Sequence, residues 1–145
     1  MRTIIRGGRV LDPASSTDGI RDILVEDGII KEVAEHISTD AENVIEAEGL
    51  YVMPGLIDLH VHFREPGFEH KETIATGSLS ALYGGYGTVV AMANTLPCMD
   101  NVDTIYDFAQ RVKNDGYVDV YTYSAITKGL KGKELVDIEH IAEED

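Results

Sequence analysis

The run Asp58-Leu59-His60-Val61-His62-Phe63-Arg64 holds the residues of this chain best suited to chemistry. Successive side chains of a strand point to opposite faces. Asp58, His60, His62 and Arg64 therefore share one face, and Ile57, Leu59, Val61 and Phe63 the other. Two imidazoles at i and i+2 can reach one cation together, and neutral imidazole is the commonest metal-ligating side chain. A surface strand can also carry two solvated histidines, so the pair alone decides little. Its flanks favour a metal. Pro54-Gly55 breaks the chain just before Leu56-Ile57, and Pro66-Gly67 turns it just after Arg64. A strand bounded in this way delivers its last residues to a loop end, where β/α-barrel sites lie.

Other side chains could join such a site. Arg64 can hold a carboxylate through two parallel hydrogen bonds, or pair on the surface with Glu65 or Glu69. Asn94 follows the strand-like Val89–Met92, where its amide can meet a polar substrate or satisfy its own turn. Asp58 can orient an imidazole from behind or accept from a backbone amide. Glu72 suits the positive end of a helix without catalytic duty. His70 reads as a solvated loop residue at the helix start, His36 and His140 lack ligand-like spacing, and Cys98 has no base placed near it, so it reads as a bystander thiol.

These residues must be held by an ordered scaffold. Residues 1–53 alternate short β-branched runs with turns, including the hairpin signal Asp27-Gly28, and predict a small β-sandwich-like module. From 54 to 145 the rhythm becomes strand, helix, strand, helix, strand, helix. The expected strands are Leu56–His62, Thr88–Met92 and Tyr117–Ala125. The expected helices are Lys71–Tyr83, ended by Gly84-Gly85; residues 101–114, capped by Asp100 or Asn101; and a third from Lys133 onward, with Leu135, Ile138 and Ile141 on one face. The fold class is α/β, with the first three βα units of an incomplete barrel of the TIM type. A closed eightfold barrel typically needs about 250 residues. The chain is therefore expected to be an N-terminal portion of a longer polypeptide, and to be inactive alone.

Composition narrows the partners. With 43% hydrophobic residues the chain can build a core, and its net charge of −14 argues against nucleic acid and anionic membrane. Its one cysteine permits no internal disulfide and fits a reducing cytosol. No apolar run approaches the roughly 18 residues of a membrane span.

Pro54-Gly55-Leu56-Ile57-Asp58-Leu59-His60-Val61-His62 resembles the first barrel strand of the amidohydrolase superfamily. Phe63-Arg64-Glu65-Pro66-Gly67, Lys71-Glu72-Thr73 and Met92-Ala93-Asn94-Thr95-Leu96-Pro97 resemble the dihydroorotase family within it, as does Gly8-Arg9-Val10-Leu11-Asp12-Pro13 near the start. The pattern is most similar to the bacterial, class I branch. The resemblance implies a binuclear zinc site at a barrel mouth and reversible closure of N-carbamoyl-L-aspartate to dihydroorotate in pyrimidine synthesis. It implies that His60 and His62 bind the more buried zinc, and that Arg64 and Asn94 hold the substrate carboxylate. The acid/base aspartate and the remaining metal ligands are expected beyond residue 145, so no catalytic acid or base is expected within this chain. A homo-oligomer or association with aspartate transcarbamoylase fits the same resemblance. Two other readings stand beside it: a cyclic amidohydrolase of the allantoinase or hydantoinase type, and a non-catalytic dihydroorotase-like scaffold subunit.

Overall fold

The computed structural model describes residues 1–143. Contacts divide the chain into Met1–Pro54 and a second unit from Gly55 onward.

In the first unit, β1 (Arg2–Asp12) pairs antiparallel with β2 (Thr17–Glu26), and β2 pairs antiparallel with β3 (Ile29–Ala34). The short strands β4 (Asn43–Glu46) and β5 (Tyr51–Val52) lie parallel to successive halves of β1. These strands make one five-stranded sheet instead of the two layers expected from their spacing. The sequence shows two apolar runs, Ile4-Ile5 and Val10-Leu11, because β1 carries a register shift between Ile5 and Gly8. It is one long strand, and both β4 and β5 use it as a template. Ile4, Leu24 and Ile37 form the buried centre of this unit. Asp22 is buried beside them; its carboxylate accepts the backbone N–H groups of Gly7 at 2.9 Å and Ile37 at 3.0 Å.

The second unit contains a parallel sheet in the order β6 (Leu56–Val61), β7 (Tyr86–Ala91), β8 (Asp119–Thr122). Helix α1 (Ile74–Tyr83) joins the first pair, and α2 (Val102–Asp115) joins the second. Thr73 caps α1 by accepting from the Thr76 N–H at 3.1 Å. Glu72 supports that cap by accepting the Thr73 N–H at 3.1 Å, which gives it a structural job. Asn101 caps α2 through the Thr104 N–H at 3.0 Å. Phe63, Ile74, Val89, Ala91, Met99 and Phe108 are among the buried residues of the core. Ile105 and Val112 of α2 pack against it, whereas Ala109 is exposed.

The third βα unit differs from expectation. β8 is four residues long, and α3 (Ile138–Ala142) begins five residues after Lys133. Between them lies a 3-10 turn, Lys128–Leu130, and a bridge between Thr127 and Leu135. Leu135 therefore lies outside the helix. Asp137 sets the helix start by accepting the His140 N–H at 3.1 Å.

Candidate metal and substrate site

His60 is the fifth residue of β6 and His62 follows the strand's end. Both histidines line a cavity of about 520 Å³, together with Leu59, Asn94 and residues Tyr123–Ile126 that follow β8. The two imidazole centroids are 5.2 Å apart and their planes are inclined by 68°. Asn94 lies three residues past β7, and its Oδ1 sits 3.0 Å from His62 Nδ1. The structure thus brings together His60, His62 and Asn94, all from the C-terminal ends of neighbouring parallel strands.

Asp58 and Arg64 are placed differently, because the alternation does not run unbroken. The β6–β7 register shifts between Asp58 and Val61, where three steps along β6 span two along β7. Asp58 accepts its own strand's His60 N–H at 3.0 Å, and does not line the cavity. Its expected imidazole contact is thus replaced by a local turn bond. Strand β6 ends at Val61, and Arg64 adopts φ = 67°, so it does not continue the histidine face and does not line the cavity. The half-buried Arg64 side chain forms no hydrogen bond or ion pair among the described residues. Its two expected surface partners are engaged elsewhere. Glu65 meets Arg111 at 3.2 Å, and Glu69 accepts the Gly67 N–H at 2.9 Å, which holds the Glu69 carboxyl below the usual carboxylate range.

Two fastenings of this region were not visible in the sequence. The loop after β6 is tied to the loop after β7 by the Leu96 N–H, which donates to Pro66 O at 2.9 Å. Gly67, at φ = 97°, lies so near Leu96 that a Cβ there would fall 2.1 Å from the Leu96 carbonyl oxygen. Pro66-Gly67 reads as a turn, but nothing local announces its partner. The second fastening is the Phe63 ring, which fills the space above Gly77; a Cβ on Gly77 would come within 2.5 Å of it. This lodges the residue next to His62 against α1.

Within the second unit, Cys98 and His70 do not line the cavity. Cys98 Sγ donates to Ala93 O at 3.2 Å, and burial, reinforced by the Asp100 charge, pushes the thiol pKa up. That environment suits an inert thiol. The exposed His36 sits 3.4 Å from Asp22 in the first unit. His70 is exposed and stacks edge-on to Phe68.

Residues 49–145 match the family model described as dihydro-orotase-like. The chain belongs to the dihydroorotase-like family. A dihydroorotase from Acetivibrio thermocellus is 50% identical over 135 residues, covering 93% of this chain and 32% of that protein. A dihydroorotase from Streptococcus pneumoniae is 46% identical, covering 97% of this chain and 33% of the relative. This dihydroorotase-like chain thus spans about a third of the length of the curated relatives it matches. Among solved structures, an L-hydantoinase (dihydropyrimidinase) from Arthrobacter aurescens superposes with a TM-score of 0.80 at 27% identity, over 86% of this chain and 28% of that one. The α/β architecture of the dihydroorotase-like chain is thus shared with cyclic-amide hydrolases. Among the described residues, no helix is long and apolar enough to cross a membrane.

Proposed function

We propose that this chain supplies the first zinc-ligand pair and the carboxylate-holding pair of a dihydroorotase built on a β/α barrel. In this reading it forms the small β module and the first three βα units. The observation that carries the reading is the convergence of His60, His62 and Asn94 on one cavity, in a chain half identical to a dihydroorotase.

The histidines fit a zinc ion. With Zn–N at about 2.05 Å and tetrahedral angles, two ligating imidazoles have ring centroids roughly 5 Å apart. The observed 5.2 Å agrees with that spacing. A catalytic zinc takes three protein ligands and keeps an open position. Among the described residues no group of three or more His, Cys, Asp or Glu converges, so His60 and His62 supply part of such a set. When bound, two zinc ions would polarise the ring amide carbonyl and acidify a water. The chain's own contribution is to orient substrate. Asn94 offers Nδ2 to the carboxylate, and Arg64, half-buried and outside the cavity lining, would supply the opposing charge from the adjoining loop. Their loops are tied together at Leu96 and Pro66, which limits how far the two groups can separate.

Taken alone, the chain binds zinc weakly and turns over little, because two imidazoles are too few. The setting that suits it is a reducing cytosol, in keeping with the half-buried free thiol of Cys98. The hydantoinase reading draws on the Arthrobacter aurescens structure. It predicts a neutral ring substrate with no need for Arg64.

The test is turnover by the zinc-loaded whole polypeptide, with dihydroorotate and hydantoin compared. Preference for dihydroorotate, weakened in Arg64→Ala by about 2–5 kcal/mol as for a buried charge pair, supports the proposal. Preference for hydantoin with no effect of Arg64→Ala supports the rival, and no turnover of either substrate supports the scaffold reading. Co-sedimentation with aspartate transcarbamoylase would test the proposed association.

A further inference from the structure

We infer that Asn94 is a positioning residue for His62, fixing the tautomer that leaves His62 Nε2 free as an electron-pair donor to zinc. The inference rests on the zinc reading of the histidine pair, and adds a duty for Asn94 separate from substrate binding.

The contact joins Asn94 Oδ1 and His62 Nδ1 at 3.0 Å. A carbonyl oxygen only accepts, so with Oδ1 facing the ring this contact is a hydrogen bond when the ring carries its proton on Nδ1. A neutral imidazole has one N–H, so Nε2 is then unprotonated and able to ligate. The opposite amide orientation would donate to Nδ1, move the ring proton to Nε2 and block ligation there. Outer partners of metal-bound histidines commonly set the tautomer in this way.

Geometry makes the contact durable. His62 and Asn94 follow adjacent parallel strands, and the Met92 N–H, two residues before Asn94, donates at 2.9 Å to the O of Val61, the residue before His62. Phe63 is buried on the far side of His62. The backbone on each side of the pair is therefore held by main-chain bonding and packing. Asn94 Nδ2 forms no hydrogen bond among the described residues, so one amide can serve the imidazole with its oxygen and a ligand with its nitrogen.

The experiment reads the His62 tautomer directly, in the metal-free 145-residue chain. Two-bond 15N–1H spectra are recorded at about pH 9, well above the ordinary imidazole pKa of about 6.5. The His62 signal is identified by its loss in His62→Gln. Wild type and Asn94→Asp, which keeps an accepting oxygen, should both show Nδ1–H. Asn94→Ala should shift His62 toward Nε2–H and leave His60 unchanged. A zinc titration should then give about 10–100-fold weaker binding for Asn94→Ala than for wild type, with Asn94→Asp retaining affinity. Nε2–H in wild type, the same tautomer in wild type and Asn94→Ala, or an equal change at His60 would each overturn the inference. No substrate is present in either measurement, so failure of the dihydroorotase reading would leave these results standing.

Discussion

The Glu65 carboxylate joins α1 to α2. Its Oε2 accepts the Ile74 N–H at 2.8 Å, at the first residue of α1, while its Oε1 faces Arg111 of α2 at 3.2 Å. Arg111 is held in turn by Asp107 at 2.8 Å, one helical turn earlier. Glu65 is nearly buried, at 12% side-chain exposure, whereas Arg111 is 38% exposed.

That asymmetry orders the expected costs. Glu65→Ala strands a helix N–H and removes a charge partner, and should destabilise by roughly 2–3 kcal/mol. Arg111→Ala leaves Glu65 its backbone donor and should cost about 1 kcal/mol, since this partner is more than a third exposed. A double-mutant cycle by urea denaturation would measure the coupling. A larger loss from Arg111→Ala than from Glu65→Ala would mean the ion pair, not the helix cap, holds this joint.

Gly67→Ala should be among the more damaging single-methyl additions in the second unit. The new Cβ would meet the Leu96 carbonyl, a backbone atom that cannot swing aside, at a φ that alanine resists. A loss of about 2 kcal/mol or more is expected. Chemical-shift changes should extend to Asn94, because Leu96 belongs to the same loop. A neutral substitution would show that the two loops are not fastened there.

Arg64 separates backbone strain from ligand binding. At φ = 67° glycine is at ease, while alanine and arginine are not. Arg64→Gly should therefore be more stable than Arg64→Ala by about 1 kcal/mol in thermal or urea unfolding, although neither retains the guanidinium. Equal stabilities would remove the left-handed turn from the account of this loop.

The first unit should have an acid-sensitive joint at Asp22. The Ile37 N–H, with help from the Gly7 N–H and against the opposing effect of burial, holds this carboxyl below its ordinary range. A depressed folded pKa contributes stability that is present above the unfolded value of about 3.9 and is lost as pH falls through the folded one. Asp22→Asn leaves one of the two N–H groups without its oxygen, and should cost roughly 2 kcal/mol at neutral pH. The deficit relative to wild type should shrink below about pH 4. A pH-independent deficit would assign the loss to packing.

Some of this organisation could be read from residues close together in the chain. The histidine pair, the turn at Pro66-Gly67 and the cap at Asn101 depend on neighbours within a few positions. The strand crossover pattern follows from periodicity in the same way. What escaped depends on contacts made only after folding. The register shift between Asp58 and Val61 is set by pairing with β7, and it defeats a strict two-residue alternation. Arg111 reaches Glu65 across 46 positions. Asp22 follows Arg21 and precedes the apolar Ile23 to Val25, and only the folded unit shows which amides it serves. Leu135, Ile138 and Ile141 have helical spacing, but a bridge at Thr127 claims the first of them.

Strands β6 and β8 are the two margins of a three-stranded sheet, and β6 carries Leu56, Ile57 and Leu59 at 43%, 62% and 60% exposure. Such a margin can template another copy. At neutral pH a net charge of −14 keeps molecules of this chain apart. Near the isoelectric point, about 4.6, that repulsion vanishes while the apolar margin remains. The colloidal window of the chain is therefore narrower on its acidic side, and turbidity should peak near pH 4.6 and grow with protein concentration. A slow acid titration toward the Asp22 transition crosses this window, so a rapid pH jump at low concentration is the way to reach it with the chain still dispersed.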